Sequence, residues 1–327
     1  MSIRKLTHHS PDFDVVLIFR VILIGFFGFL NIIIDFILKN SNRCDIIATY
    51  NMMCARNYCA KEIKMTVTPE DRLLQKLENG ETILGSHIFI GHPALTEAIA
   101  QTGYDVLWID MEHTAIGHEA LLVNLIAAKA GGTPSWVRIP WNDPVRAKPI
   151  LDMGVDGIMF PYVCTAEEAK LAADSCSYPP VGIRGYGPLR ALRYGAIKPI
   201  EYVKETFRKC RRILQIEHID AVRNLREIVK VDGIDVYIVG PNDLAASVGH
   251  IGDVQHPDMF PIYEELCAIM RESGKPFGLS TGYDPAFFNW WKERGATIFF
   301  CGFDSGFVQA GAVSMLTALE DNVKNAN

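Results

Sequence analysis

Residues 213–249 read ILQIEHIDAVRNLREIVKVDGIDVYIVGPNDLAASVG, and this stretch repeats one local pattern twice. Two short runs rich in β-branched residues, Ile213–Glu217 and Ile234–Val239, are each followed by a stretch with helical character. Glu217 ends the first run, and Asp243 follows the second run at the start of the next helix. Strands that alternate with helices in this way indicate a parallel sheet.

The same alternation extends in both directions from this stretch. We predict eight strands, at Ile83–Ile90, Asp105–Asp110, Ser135–Ile139, Gly157–Phe160, Ile213–Glu217, Ile234–Val239, Pro276–Ser280 and Thr297–Cys301. Eight strand–helix units within about 250 residues favour a closed (β/α)8 TIM barrel over an open doubly wound sheet. The glycine spacing typical of a dinucleotide site does not follow the first strand, which weakens that alternative.

Composition restricts the class of partner. The 327 residues are 49% hydrophobic, which is enough for a sizeable core, and the net charge of -6 comes without long basic runs. We therefore expect no nucleic-acid partner. The 8 cysteines form no C-x-x-C pair, which argues against a structural zinc site and indicates reduced thiols in a cytoplasmic catalytic domain.

An N-terminal extension, residues 1–64, differs from the rest of the chain. Its segment 15–38 is almost continuously apolar and has the length of a membrane span, although Arg20 and Asp35 lie within it. A targeting segment and a mis-assigned start are the alternatives, because Met65 begins a typical helix start. We predict that the barrel occupies residues 65–327 and leave the three interpretations of the extension open.

Polar residues cluster where the predicted strands end. Active sites of such barrels lie at the carboxyl ends of the strands. The candidates there are Asp110, Glu112, His113, Arg138, Gln215, Glu217 and Asp243. Four of them have a structural alternative: Asp243 as a helix N-cap, Arg138 and Glu217 as an inter-strand ion pair, and His113 as a structural histidine. Their joint appearance at one barrel face favours a site.

Carboxylates at an open rim fit a hard divalent cation such as Mg²⁺ or Mn²⁺. A 2-keto acid could chelate this cation, which would then stabilise the enolate formed when a carbon–carbon bond breaks. Arg138 could face the same oxygen, and the turn at residues 240–243 could bind the carboxylate. No lysine lies at a strand's carboxyl end, so the sequence favours a metal over a Schiff base as the electron sink.

Several motifs carry a resemblance to a known family. They are WIDMEH (108–113), VRIPWNDP (137–144), ILDMGVDGIMFP (150–161), YPPVGIRGYGP (178–188), LQIEHIDAVRNL (214–225) and VDGIDVYIVGPNDLAASVGH (231–250). Together they resemble the HpcH/HpaI family of metal-dependent 2-keto-acid aldolases, from about Leu84 to Thr317. The resemblance implies a barrel enzyme that acts on a small 2-keto acid and an aldehyde, with Mg²⁺ expected and Mn²⁺ or Co²⁺ as alternatives.

The resemblance also implies roles for individual residues. Glu217 and Asp243 would bind the metal. The pyruvyl group would contact Arg138, Gln215 and the backbone near Asn242. His113 would act with Asp152, through a water, as the acid–base pair. The family further suggests a homo-oligomer, commonly a hexamer, whose last helix is exchanged between subunits.

Trp108 and Asp110 belong to a W-x-D-x-x-H pattern that is also similar to macrophomate synthase. This similarity implies that both residues shape a pocket for a second substrate, with barrel packing as the alternative for Trp108. The loop at residues 181–195 carries Arg184, Arg190 and Arg193, which could contact an acidic substrate or simply face solvent.

Three functions follow as hypotheses. The main one is cleavage of a 4-hydroxy-2-oxo acid into pyruvate and an aldehyde by a class II-type aldolase. The second is oxaloacetate decarboxylation, alone or coupled to bond formation as in macrophomate synthase. The third, from another class, is a non-catalytic barrel that binds a metabolite.

Overall fold

The computed structural model describes residues 67–204 and 209–325. The apolar segment 15–38 lies outside these residues, so its interpretation and the domain boundary at residue 65 stay predictions. Among the helices that the structure describes, none is both long and apolar enough to span a bilayer.

Eight parallel strands form a closed barrel in which each strand pairs with its neighbours in the chain and β8 pairs with β1. The strands are β1 Ile83–Ile88, β2 Val106–Asp110, β3 Ser135–Arg138, β4 Gly157–Phe160, β5 Arg211–Ile216, β6 Val236–Val239, β7 Phe277–Thr281 and β8 Ile298–Phe303. All eight lie where the sequence places them, with ends that differ by a few residues. The predicted (β/α)8 barrel is confirmed.

Helices follow the strands around the barrel. They are α1 Pro69–Asn79, α2 Pro93–Ala100, α3 His118–Gly131, α4 Pro144–Asp152, α5 Ala166–Cys176, α6 Pro199–Lys204, α7 Ile219–Arg223, α8 Leu225–Ile228, α9 Pro241–Ala246, α10 Met259–Ser273, α11 Pro285–Glu293 and α12 Asp304–Asn325. The helical stretch after β5 is divided into α7 and α8 at Asn224, which is the C-cap of α7 and the N-cap of α8.

One end of the barrel is closed by α1. Thr68 caps this helix by accepting a hydrogen bond from the Asp71 amide. Leu73 and Leu77 of α1 are buried in one hydrophobic cluster with the barrel interior, whose largest members are Trp108, Trp136 and Phe300. Side chains fill the interior and α1 packs against it, so among the described residues the carboxyl ends of the strands are where a ligand can bind.

The last helix, α12, is exposed along most of its length. Seven large apolar side chains on it are 40% or more exposed: Phe307, Val308, Val313, Met315, Leu316, Leu319 and Val323. Its start is fixed by Asp304, which is fully buried and accepts hydrogen bonds from the amides of Phe89 and Ile90 after β1. A helix anchored at one end that exposes so many apolar side chains is typical of a surface used in association.

Candidate active site

A cavity of about 420 Å³ opens at the carboxyl ends of the strands. Six residues predicted from the sequence line it: Asp110, His113, Arg138, Gln215, Asn242 and Asp243. His87, Phe89, Thr114, Gly240 and Ser280 complete the lining. Residues from β1, β2, β3, β5, β6 and β7 therefore meet at one site, although up to 193 positions separate them in the chain.

Arg138, at the end of β3, is held in place by carboxylates. Its Nε and Nη2 donate to the two oxygens of Asp110 at 2.9 and 2.6 Å, and its Nη1 donates to Gln215 Oε1 at 3.3 Å. Nη1 also lies 3.0 Å from Glu112 Oε2. Burial alone would lower the pKa of Arg138, but the hydrogen bonds and charge of Asp110 outweigh it and raise this pKa. The guanidinium therefore stays charged and its plane is fixed.

Trp108 lies beneath this guanidinium, with the Arg138 carbon 5.0 Å from the indole centroid. Its side chain is 1% exposed and packs edge-on against Phe300 inside the barrel. The structure therefore shows the packing role that was the alternative for Trp108, together with a cation–π contact that supports Arg138. A contact between Trp108 and a second substrate stays a prediction.

Glu217 follows β5 and is 3% exposed. One of its oxygens, Oε1, accepts a hydrogen bond of 2.7 Å from the amide of Tyr162. Tyr162, which donates this hydrogen bond, has φ 57°. This left-handed conformation is uncommon for a residue other than glycine. Burial, and next the negative charge of Glu112, raise the pKa of Glu217 to about 8.

Negative charge is in excess around Glu217. The charges of Glu112 and Asp243 both raise its pKa, so the three carboxylates act on one another. Burial also raises the pKa of Glu112. Among residues 67–204 and 209–325, the arginine or lysine side chain that contacts these carboxylates is Arg138, which pairs with Glu112. Arg138 is already bound by Asp110. The arrangement calls for an additional cation.

The backbone of Gly240, which lines the cavity, packs closely against Glu217. Gly240 follows β6, and a Cβ atom at this position would lie 2.8 Å from Glu217 Oε2 and 2.9 Å from Gln215 Nε2. Any side chain at position 240 would therefore press against the second carboxylate oxygen. Oxygen donors with excess negative charge fit a hard divalent cation such as Mg²⁺.

Asn242 and Asp243 belong to α9, which starts at Pro241 and has Gly240 as its N-cap. Asp243 is thus not the N-cap, which removes the structural alternative considered for it from the sequence. Its exposed side chain lines the cavity. The proposed ion pair between Arg138 and Glu217 is likewise replaced by the pairing of Arg138 with Asp110 and Glu112.

His113 lies at the mouth of the cavity with its side chain 64% exposed, and its Nε2 is 3.9 Å from Glu112 Oε2. An imidazole that lines the mouth of the cavity can reach a bound substrate. This position fits the predicted acid–base role better than a structural role in the core.

Asp152, the last residue of α4, pairs with Arg184, whose Nη2 lies 2.7 Å from its Oδ1. Arg184 is 2% exposed and also stacks on Tyr178. The residues that line the cavity include His113 but neither Asp152 nor Arg184. The structure thus places Asp152 and Arg184 together, and an action of Asp152 on His113 stays a prediction.

His87 in β1 is a residue that the sequence analysis missed. Its ring lies between the Gly302 carbonyl, 2.9 Å from Nδ1, and the Ser280 hydroxyl, 2.8 Å from Nε2. A carbonyl can only accept, so Nδ1 carries the proton and Ser280 donates to Nε2. Burial lowers the pKa of His87 to about 4, so this ring is neutral at ordinary pH. The feature of the sequence that could have identified His87 is its position on the inward face of the predicted first strand.

Comparisons with known proteins agree with this geometry. The family model described as HpcH/HpaI aldolase/citrate lyase matches residues 87–308. A 4-hydroxy-2-oxovalerate aldolase of Novosphingobium aromaticivorans is 36% identical over 248 residues, which cover 75% of this chain and 93% of that protein.

Comparison with solved structures gives the same fold. The crystal structure of an HpcH/HpaI aldolase/citrate lyase family protein from Burkholderia cenocepacia J2315 superposes with a TM-score of 0.72 at 30% identity, covering 76% of this chain and 99% of that one. Macrophomate synthase, at 24% identity, shares the fold with a TM-score of 0.67 over 79% of this chain and 91% of its own.

Proposed function

The chain belongs to the HpcH/HpaI aldolase/citrate lyase family, and on this premise we propose that it cleaves a 4-hydroxy-2-oxo acid into pyruvate and an aldehyde. As a member of a family of aldolases and lyases, it is an enzyme that acts on carbon–carbon bonds. The observation that carries the proposal is a cavity lined by Arg138 and Asp243, with the carboxylate of Glu217 against Gly240 in its wall.

A divalent cation, with Mg²⁺ as our first candidate and Mn²⁺ or Co²⁺ as alternatives, would be held by Glu217 and Asp243. When bound, this cation supplies positive charge to the substrate oxygen that becomes negative as the carbon–carbon bond breaks. Glu217 is suited to the role because one oxygen is fixed by Tyr162 and the other lies against Gly240, which lines the cavity.

Arg138 and Gln215 would orient the pyruvyl group. Asp110 fixes the guanidinium through two hydrogen bonds, so its remaining donor, Nη1, is directed toward Gln215 and the cavity. A donor that is already oriented stabilises developing negative charge without having to reorganise. Backbone near Asn242 would complete the contact with the substrate carboxylate, since this residue also lines the cavity.

His113 would take the proton of the substrate hydroxyl when the bond between C3 and C4 breaks. Its exposure at the cavity mouth and its neighbour Glu112 support this role. Asp152 is assigned as the partner of His113 in the acid–base pair from its sequence motif alone. If Asp152 supports His113, the variant Asp152→Asn reduces turnover without reducing the affinity for the cation.

We also propose that copies of the chain associate through α12, because this helix exposes seven large apolar side chains and makes few contacts with its own barrel. A hexamer is the assembly that the family suggests. Sedimentation of the full chain should give a homo-oligomer, and Leu316→Glu combined with Leu319→Glu should give a smaller species.

We propose that the barrel is located in the cytoplasm. The cysteines of the described residues, Cys164, Cys176, Cys210, Cys267 and Cys301, are all free thiols, as the sequence predicts. We further propose that the catalytic barrel occupies residues 65–327. A chain that begins at Met65 should then retain the activity of the full chain.

The test of function is a panel of 4-hydroxy-2-oxo acids together with oxaloacetate, assayed for pyruvate release in Mg²⁺. We expect pyruvate and an aldehyde in equal amounts from at least one hydroxy acid, loss of activity in EDTA, and recovery with Mg²⁺, Mn²⁺ or Co²⁺. Glu217→Gln provides the background rate, and Glu167→Gln, an exposed residue of α5, is the matched control.

Three outcomes would contradict the proposal. Full activity in EDTA would exclude the cation. Pyruvate from oxaloacetate alone, at a rate above that of Glu217→Gln and without cleavage of any hydroxy acid, would identify a decarboxylase. Tight binding of 2-keto acids with no turnover would identify a binding protein.

A further inference from the structure

A second group of metal-ligating side chains lies in the loop between α9 and α10. His250, His256 and Asp258 each offer one ligand atom, and these atoms all lie within 4.8 Å of one another. The two imidazole rings are stacked, with centroids 3.7 Å apart and planes inclined by 15°. The carboxylate oxygen Oδ2 of Asp258 is 3.2 Å from His250 Nε2 and 3.5 Å from His256 Nδ1. None of the three lines the catalytic cavity.

The backbone of this loop holds the three residues in place. The amide of His250 donates to the Ala245 carbonyl at the end of α9, after Gly249 turns the chain with φ 91°. The backbone amide of Asp253 then donates to the His250 carbonyl at 3.0 Å, and the backbone amide of His256 donates to the Asp253 carbonyl at 3.2 Å. The positions of the ligands therefore follow from the turns of the loop and are established by the protein itself.

The donor distances fit a tetrahedral transition metal. Zinc bonds to imidazole and carboxylate at about 2.0–2.1 Å, which places two donors of one tetrahedral ion about 3.3 Å apart. The distances of 3.2 and 3.5 Å from Asp258 Oδ2 agree with this value. The third separation, between the two imidazole nitrogens, is at most 4.8 Å. An imidazole lone pair lies in the plane of its ring, so the stacked rings must rotate apart to share one ion, which their exposures of 24% and 33% permit.

The chemistry of the donor set also favours a metal. A bound metal takes both rings in the neutral form, and the carboxylate of Asp258 then balances part of its charge. Imidazole nitrogens suit Zn²⁺ and its neighbours in the transition series, whereas the all-oxygen site around Glu217 suits Mg²⁺.

We propose that His250, His256 and Asp258 bind a zinc-type divalent cation at a site separate from the catalytic cavity. Three protein ligands leave one position of the ion for water, which the 70% exposure of Asp258 permits. The ion joins the end of α9 to the start of α10. Since α9 also carries Asn242 and Asp243, the ion would hold the loop that follows them. This site does not depend on the proposed aldol reaction.

The experiment measures zinc bound to the full chain by equilibrium dialysis in excess Mg²⁺, which occupies the oxygen site. We compare the wild type with His250→Gln, His256→Gln and Glu217→Gln, and with His118→Gln as the matched control, since His118 is exposed at the start of α3. Comparison with the wild type subtracts any zinc bound by histidines or cysteines elsewhere in the chain. Thermal melting in EDTA, and again with zinc, is recorded for each protein.

We expect each loop variant to lose one zinc per chain, or to bind it about tenfold or more weakly. His118→Gln and Glu217→Gln should keep it. Zinc should raise the melting temperature of the wild type but not that of the loop variants, while the wild type and the loop variants melt alike in EDTA. The same zinc content in the loop variants as in the wild type would overturn the proposal. So would a loss of zinc confined to Glu217→Gln, which would place the ion in the catalytic cavity.

Discussion

Replacing Glu217 by glutamine should stabilise the metal-free protein and abolish its response to Mg²⁺. The carboxylate is 3% exposed, and burial together with the charges of Glu112 and Asp243 opposes its ionisation. Glutamine has nearly the same shape and can still accept the hydrogen bond from Tyr162, which measures 2.7 Å in the wild type. The substitution therefore removes the buried charge and keeps the packing.

The magnitude follows from the pKa of Glu217. Its rise from 4.5 to about 8 corresponds to about 5 kcal/mol when the group is fully ionised, and to about 4 kcal/mol at pH 8, where half is ionised. A pKa that is higher in the folded state gives stability that is fully present below pH 4.5 and is lost as pH rises through 8. The free energy of unfolding of the metal-free wild type should therefore fall between pH 5 and pH 8 more steeply than that of Glu217→Gln.

The assay is denaturant unfolding in EDTA at pH 5, 6.5 and 8, followed by melting with and without Mg²⁺. We expect the variant to gain up to about 4 kcal/mol over the wild type at pH 8, or roughly 8 °C in melting temperature, and little at pH 5. Mg²⁺ should stabilise the wild type alone. Parallel pH profiles for the two proteins would refute the reasoning, because they would show that Glu217 ionises at its ordinary pKa.

Three further substitutions test the other parts of the site. Arg138→Lys removes the two-point contact with Asp110, so kcat/KM should fall by about 100-fold or more in steady-state assays while Mg²⁺ binding by calorimetry is retained. Gly240→Ala places a Cβ 2.8 Å from Glu217 Oε2. Titration with Mg²⁺ should then show an affinity reduced about tenfold. An unchanged affinity would show that the cation does not bind next to Gly240. His113→Ala should keep the cation and lose aldol cleavage by about 100-fold or more, and unchanged turnover would defeat the acid–base assignment.

The sequence by itself determined the barrel and most of the residues that line its cavity. Strands in a parallel barrel are buried on both sides, so they read as short β-branched runs, and all eight could be located. The rule that chemistry lies at their carboxyl ends then selected Arg138, Gln215 and Asp243, which the structure brings together in one cavity.

Only the tertiary structure decided how these residues pair. The choice of Asp110 as the partner of Arg138 depends on the register in which Asp110 lies next to Arg138 across β2 and β3. His87 faces the same cavity because closure of the barrel brings β1 next to β8 and near Ser280 of β7. Neither relation is encoded in the spacing of residues along the chain.

The metal-ligating group of the α9–α10 loop shows the same limit. Its members lie within nine positions of one another, between His250 and Asp258, yet no spacing rule identified them. Their convergence depends on turns at Gly249 and Gly252 and on backbone hydrogen bonds that bring two rings into a stack. Local periodicity reports which face of an element is buried, whereas the meeting of side chains in space is set by packing and by loop conformation.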